Sequence, residues 1–591
     1  MEFRALLDAH DLKYGMFGHV DAGVLHVRPA LDMQEPASAE MVRTISDAVM
    51  RLTARYGGLM WGEHGKGYRS EYGPEFFGDN LFTELRKIKA AFDPQNRLNP
   101  GKICTPFASN DSLVSVDARK RGWFDRQIPV ASQVQFQGVM DCNGNGLCFN
   151  FAASSPMCPS YRATGDRRYS PKGRATLLRE WLRRLANAGY ATDTKELADK
   201  TLSANARLTK APGEDDFNTE VKTALDTCLA CKACSSQCPV KEDIPRQRAI
   251  FYAHYHQSYQ RPIKDYLVLH SELNLPKLAR FPRFANLLAH NPLSKAVQKH
   301  WIGYIDTPKF SVPNLNSRLT KDKFLGLDEV REKAKSLAFD PNDYVFVVQD
   351  AFTSVFDAAV VHDFMRLARI LGKEPVLLPY MGNAKAAHVK GFLGNFRQLA
   401  TRTSERLAAL QDGFKVPLVG LDAATVLCFR DEYRQEGIPK SEEFSVLLAH
   451  EWILQNIAEL AALVKDTDSS VATDEGFKIL PHCTEQTALP NTGKAWHEIF
   501  AAAGAPVEIP AVGCCGMAGT FGHERENQSL SRSIFDLSWQ QFFSSGLASP
   551  RQQNTQIMAT GFSCRCQSER YTSTKPKHPI QQLVTLLATQ D

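Results

Sequence analysis

At 591 residues the chain is too long for one hydrophobic core, so roughly three or four domains are expected. Composition is ordinary for a globular protein, 43% hydrophobic and 23% charged, and a net charge of +5 gives no basis for nucleic-acid binding. No apolar run approaches the ~18 residues of a membrane span, and the first residues lack the apolar core of a signal peptide. The 14 cysteines gather in motifs rather than spreading as a secreted disulfide framework, so a reducing cytoplasm is expected.

Residues 1–107 read as an α+β segment. Gly23-Val-Leu-His-Val-Arg28 alternates as a short strand. Apolar residues at helical spacing run from Met41 to Tyr56, where Gly57-Gly58 stops them, and from Asn80 to Phe92, closed by Asp93-Pro94. The segment has few strands and starts abruptly, so the front of a domain is expected to be missing. It also carries histidines. Gly18-His19 and His26 set two imidazoles across a turn and a strand, and Trp61-Gly-Glu63-His64-Gly65 adds a carboxylate and a third imidazole. Two His and one carboxylate with an open position suit a divalent metal acting as Lewis acid. A neighbouring His suits a general base. Arg28 leaves the strand two residues after His26, on the same side, where it would pair with a substrate carboxylate or with a surface acid.

Residues 108–335 read as a helical domain with two cysteine groups. Pro171 to Ala188 is a basic amphipathic helix, and Asp193 to Asp216 is polar and linker-like. Cys228-Leu-Ala-Cys231-Lys-Ala-Cys234-Ser-Ser-Gln-Cys238-Pro239 has the C-x2-C-x2-C-x3-C-P spacing of bacterial iron–sulfur ligands. A structural zinc site would more usually show two separated C-x2-C pairs. Upstream, Cys142-Asn-Gly-Asn-Gly-Leu-Cys148 and Cys158-Pro159 look like a distorted partner of that run. In two-cluster ferredoxins the C-P cysteine crosses to the other cluster. The fourth ligand of Cys228, Cys231 and Cys234 is therefore either Cys238 or Cys158. A second set on Cys142, Cys148 and Cys238 stays one ligand short, and nothing in the spacing assigns Cys104 to it. Leu267 to Asp306 is apolar and basic with scattered prolines, which fits docking on a membrane or partner, or, more simply, short helices packed on their own chain.

Residues 336–591 alternate strand and helix. Strands are expected at Tyr344–Gln349, Pro375–Pro379, Val416–Gly420, Phe477–Pro481, Val507–Pro510 and Gln556–Thr560. Pro379-Tyr-Met-Gly382 recurs as Pro510-Ala-Val-Gly513, so an α/β unit is read as duplicated, each copy with a parallel sheet. Cys483, Cys514-Cys515-Gly516, Cys564 and Cys566 each follow a strand of the second copy. Loops at the carboxyl ends of parallel strands converge on one crevice, so these thiols are expected to meet as a second cluster or redox site. In the first copy Asn383 and Ala384 stand in place of Cys514 and Cys515, with Asp350 near the position of Cys483, so that copy reads as scaffold.

These cysteines resemble the "CCG" cysteine-rich domain of heterodisulfide reductase and of iron–sulfur subunits of glycolate and lactate oxidases, although Cys564-Arg-Cys566 departs from that family's closing C-x2-C. Gly18-His19, His26, Glu63-His64-Gly65, Asp93-Pro94 and Asn99-Pro-Gly-Lys102 are similar to the carboxyl-terminal part of FAD-linked D-2-hydroxyacid dehydrogenases of the vanillyl-alcohol-oxidase superfamily. That family has Gly-Asp-Gly-Asn where this chain has Val20-Asp21-Ala22-Gly23. The order of parts resembles large bacterial flavin/iron–sulfur fusion dehydrogenases, a group that includes D-2-hydroxyglutarate dehydrogenases. The resemblance implies that His19, His26 and Glu63 hold zinc or a similar metal, that His64 is the base, and that Asn99 and Lys102 adjoin the cofactor. It implies FAD held mostly by a domain or subunit absent here, one 4Fe-4S cluster at least, and a small D-2-hydroxy acid of the 2-hydroxyglutarate or lactate type as substrate. An oligomer is expected, in the cytoplasm or peripheral to the inner membrane, with an electron acceptor the sequence does not identify. Two rival readings remain: an iron–sulfur or thiol redox module without dehydrogenase activity, and a non-catalytic interaction protein stabilised by its cluster.

Overall fold

A computed structural model describes residues 1–62, 64–65, 67–152, 154–190, 216–465, 476–543 and 555–588. Most of the polar stretch after Asp193 lies outside them. The chain forms two compact units, Met1–Gln133 with Leu182–Ala191, and Val134–Trp181 with Thr192–Asp591.

The first unit holds an antiparallel hairpin, β1 (Tyr14–His19) and β2 (Val24–Pro29), in a register that sets Phe17 opposite His26 and His19 opposite Val24. Sequence alternation marks only β2, because Gly15 and Gly18 interrupt the pattern of β1. Gly18 is required there: a Cβ would stand 2.4 Å from the Val24 carbonyl oxygen. Two long helices follow, Pro36–Arg55 and Gly73–Phe92. The first begins earlier than its apolar periodicity, since Pro36 starts it, and the second is kinked at Gly78 (φ +71), so that the stretch after the kink is the helix expected from Asn80 to Phe92. They enclose a small core of Met50, Met60, Trp61, Tyr72 and Val116. Arg43 joins its parts by bonding Glu71 (2.9 Å), Asp117 (2.6 Å) and Ser115 (3.0 Å).

The second unit contains two parallel sheets. The first runs β4-β3-β5-β6, from β3 (Tyr344–Val348), β4 (Glu374–Leu377), β5 (Leu418–Gly420) and β6 (Val446–Leu448). The second runs β8-β7-β9, from β7 (Phe477–Leu480), β8 (Val507–Glu508) and β9 (Gln556–Ala559). The three-strand order, with the first strand central, is the same in both. Three-residue β6 carries too little pattern to be read from sequence. Helices Ala358–Ile370, Ala449–Gln455, Thr492–Ala502 and Pro579–Ala588 lie in a core shared by the two sheets.

The cysteine-bearing part of this unit is helical. The Ile244–Ser258 helix is buried along most of its length, beneath the Cys228–Cys238 loop. Helices Ile263–Leu278, Pro282–His290 and Pro292–Val297 form, and Tyr266, Leu269, Leu275 and Ala285 pack on their own chain as the simpler sequence reading expects, but not every apolar residue is covered. Phe281, Phe284, Leu287, Leu293 and Trp301 remain exposed. Among the described residues no helix is long and apolar enough to cross a membrane.

Candidate functional site

The hairpin of the first unit brings three imidazoles together. The ring centroids of His19 and His26 are 5.0 Å apart, and those of His26 and His64 4.9 Å. His64 reaches β2 because the Trp61–Gly65 turn lies over it; a Cβ on Gly62, at φ +53, would meet Val24 Cγ1 at 3.0 Å. Trp61 is anchored behind the turn against Phe76 and Phe77. Phe17 stacks on the other face of His26 at 4.9 Å, and the Arg28 guanidinium lies 5.2 Å from the Phe17 ring centre. The pleat thus lines up His64, His26, Phe17 and Arg28. Glu63, the third metal ligand implied by resemblance, lies outside the described residues. Among the described residues no three His, Cys, Asp or Glu side chains surround a common metal position; the His19 and His26 rings supply two adjacent imidazoles. Imidazole nitrogen is a fitting donor for zinc.

Asn99 and Lys102 sit on the turn after the Gly73–Phe92 helix. Asn99 has φ +50, and the Lys102 amide donates to its carbonyl at 3.1 Å. Asp93 pins this turn: hydrogen bonds from the Lys89 ammonium and then the Leu98 amide hold its carboxyl down to about 2. Cys104 is buried in the same unit, its thiol donating to the Leu85 carbonyl at 3.5 Å.

In the second unit the cysteines form a continuous series. The Cys231 thiol is pushed up first by burial, then by Cys483, with Cys228 and Cys158 also adjoining. Cys148 in turn adjoins Cys158 and Cys142. Cys158 therefore neighbours both ferredoxin-type groups. Cys238 is half-buried at the end of the Ala233–Gln237 helix, its amide donating to the Cys234 carbonyl. The thiols of Cys483, Cys514, Cys515 and Cys564 form a buried row, Cys483 packed with Cys514 and Cys515 with Cys564. Cys564, fully buried, is the member of Cys564-Arg-Cys566 that joins this row. Leu229 of the cluster loop packs against Cys483 and Cys514.

Three buried arginines, which no sequence motif marks, serve these thiols. Arg174 donates to Cys158 Sγ at 3.5 Å and to the Ala224 carbonyl at 2.9 Å. Arg248 donates to the Cys228 carbonyl. Burial works against the Arg162 charge, while Cys514, Cys158, Cys231 and Cys483 favour it. Its place four residues after Cys158, one helical turn on, was the available signal. Thiolate ligands of an iron–sulfur centre carry net negative charge, so buried guanidiniums fit such a centre.

The loops at the carboxyl ends of six of the seven parallel strands, β3, β4, β5, β7, β8 and β9, border one cavity of about 600 Å³. Its wall includes Asp350 after β3, Asn383 after β4, Asp422 after β5, His482 and Cys483 after β7, Cys514 and Cys515 after β8, and Cys566 after β9. Cys228 and Cys231 reach it from the cluster loop. On the first-sheet side no thiol row forms; instead Glu272, from the Ile263–Leu278 helix, accepts the Ala384 and Ala386 amides at 2.9 and 3.3 Å.

Comparison with known proteins identifies parts of this chain. Residues 1–103 match the FAD linked oxidases, C-terminal domain, and residues 138–241 match the 4Fe-4S dicluster domain. Over 99% of its length the chain is 49% identical to D-2-hydroxyglutarate dehydrogenases of Escherichia coli K12 and of Pantoea ananatis, covering 57% of each. It is 44% identical, over 98% of its length, to the D-2-hydroxyglutarate dehydrogenase of Pseudomonas putida, covering 56% of it. The chain thus spans little more than half the length of the curated relatives it matches. No solved structure matches it. The molecule therefore carries the carboxyl-terminal domain of FAD-linked oxidases and a ferredoxin-like 4Fe-4S domain, within a mixed α/β chain similar to D-2-hydroxyglutarate dehydrogenases.

Proposed function

We propose that this chain is the substrate-binding and electron-carrying part of an FAD- and iron–sulfur-dependent dehydrogenase of D-2-hydroxyglutarate. The observation that carries this reading is the row of His19, His26, Phe17 and Arg28 on one hairpin with His64 packed against His26, in the segment that matches FAD-linked oxidases. The names of the relatives favour 2-hydroxyglutarate over lactate. The chain divides into three working parts, 1–107, 108–335 and 336–591, the last a duplication whose first copy has lost its thiols; the shared strand order of its two sheets supports this.

His19, His26 and Glu63 would hold a zinc-like ion, which supplies Lewis-acid polarisation of an α-hydroxyl. Arg28, stacked on Phe17, meets a substrate carboxylate and orients it. His64 takes the hydroxyl proton at a ring nitrogen. Asn99 and Lys102 border the flavin, whose isoalloxazine supplies hydride acceptance when bound. Cys228, Cys231, Cys234 and Cys158 hold one iron–sulfur centre; Cys142 and Cys148, with Cys238, and the row Cys483, Cys514, Cys515 and Cys564 offer further ones, and such centres supply single-electron transfer. A thiol redox module is favoured by one observation, the buried thiol row, and it makes His64 irrelevant.

Calorimetric titration of zinc into the metal-free chain separates the two readings from below. The dehydrogenase reading expects one tight site, lost in His26→Ala. In the flavin-loaded enzyme His64→Ala then keeps zinc and loses roughly 100-fold or more in turnover. Zinc binding unchanged in His26→Ala, or turnover unchanged in His64→Ala, overturns it.

A further inference from the structure

We propose that the cavity at the strand ends is an electron-exit site for a lipid-soluble quinone, entered from an anionic bilayer on which the residue 263–302 helices rest. The proposal builds on the electron-transfer reading above and adds the acceptor to it. Three observations converge. The first is the chemistry of the wall. At about 600 Å³ the cavity has the size of a cofactor site, and its wall is mostly apolar. Phe352 and Phe356 stack on Phe562 with centroids 5.6 and 6.0 Å apart, a surface suited to a planar ring. Cys483, Cys514 and Cys515 open onto the same space.

The second observation is a buried polar atom without a partner. His482, 8% exposed, lines the cavity, and its Nδ1 has no hydrogen-bond partner. Such an atom is costly unless a ligand bonds it, and a quinone carbonyl is the complementary group.

The third is the mouth. Leu267 and Leu278 line the cavity yet are 47% and 50% exposed, so it opens on the face of the 263–302 helices. That face leaves Phe281, Phe284 and Trp301 exposed, among Lys277, Arg280, Arg283, Lys295 and Lys299. Exposed aromatic and aliphatic side chains interleaved with cations are what an anionic lipid surface binds. A water-soluble acceptor would need neither feature.

Quinone reduction then balances. The iron–sulfur centres deliver two electrons singly and return to their oxidised form. Both carbonyl π bonds break and two O–H bonds form. The protons come from water by way of Lys264, which lines the cavity and bonds Glu524 (3.0 Å) and the more exposed Glu526.

The full chain, purified without oxygen, tests this in two arms. In the first, an azido-ubiquinone photolabel is mapped by mass spectrometry. Label in the 263–302 helices or the 514–523 loop is expected, lost in Ser271→Trp, which fills the cavity, with iron content kept. Label elsewhere, or label unaffected by Ser271→Trp, overturns the site whatever the state of the clusters. In the second, dithionite-reduced chain is mixed with decylubiquinone. Reoxidation is expected, slowed about tenfold or more in Ser271→Trp. Clusters that ferricyanide oxidises but decylubiquinone does not overturn the acceptor while leaving the dehydrogenase reading intact. A chain without iron overturns both. Sedimentation with phosphatidylcholine/phosphatidylglycerol vesicles, but not with phosphatidylcholine alone, is expected and lost in Phe284→Asp/Trp301→Asp; no sedimentation with either vesicle overturns the bilayer as source.

Discussion

Asp350 shows what happens when a thiol position is given to a carboxylate. It follows β3 as Cys483 follows β7, and its side chain accepts the Phe352 and Thr353 amides at 2.7 Å. These bonds do not compensate for its surroundings: burial first, and then the Asp422 carboxylate, push it up to about 7. An unfolded chain releases this proton near the ordinary value of 3.8, whereas the folded chain keeps it to about 7. Folding therefore holds its full contribution from Asp350 below about pH 4 and loses it progressively as pH rises to about 7. Asp350→Asn retains an acceptor oxygen and removes the charge. Urea midpoints measured from about pH 5 to about pH 8 should fall in the parent and stay flatter in the variant, which ends the more stable. Parallel curves would show that Asp350 is already ionised at the acid end.

At the scale of elements, two cations hold the Cys228–Cys238 loop, Arg248 at the Cys228 carbonyl and Lys232 within the loop. Lys232, in a left-handed conformation at φ +57, bonds Asp243 at 2.9 Å and also reaches Asp431 and Glu432. It joins the cluster loop to the helices that follow β5. Lys232→Met keeps the length of the stem but removes the cation from Asp243 and Asp431, while Glu432 keeps Lys385, a loss of roughly 3–5 kcal/mol. A lower urea midpoint and faster release of iron to a chelator are expected; an unchanged iron-release rate would mean that the loop is held without Lys232. The cysteine loop was legible in sequence because its spacing is local, and β3, β4, β5, β7, β8 and β9 because buried parallel strands are short apolar runs between helices. The convergence of Cys483, Cys514, Cys515 and Cys564 followed from that topology. What stayed hidden depends on distant partners. Arg174, Arg248 and Glu272 belong to no local motif, and only the fold brings them beside Cys158, Cys228 and Ala384. The hairpin was half legible, since β1 is broken by glycines its close turn requires.

Across the whole second unit, the two sheets share one core, although each also packs a further core of its own. One cluster of buried side chains runs from Val345, Val347 and Phe364 to Phe477, Ile479, Phe500 and Met558. Helix Ala358–Ile370 packs against helix Pro579–Ala588 from the opposite end of the unit. Buried Arg565, after β9, bonds Asp357, at the start of the first of these helices, at 2.8 Å. Units that share apolar contacts this continuous lose them together, so β3–β6 and β7–β9 should open as one cooperative block. Phe364 is the place to test it: fully buried, on a helix between the sheets, edge-on to Trp452 at 5.4 Å. Phe364→Ala removes a ring that the surroundings cannot refill, at a cost of about 3–5 kcal/mol. If the block is single, native-state hydrogen exchange will show the amides of β7 and β9 losing as much protection as those of β3 and β5, although the substituted ring lies on the helix that follows β3. Protection lost only in β3–β6 would make the halves independent, and cooperative protection of the cavity between their strand ends would then have to come from the Ile263–Leu278 helix alone.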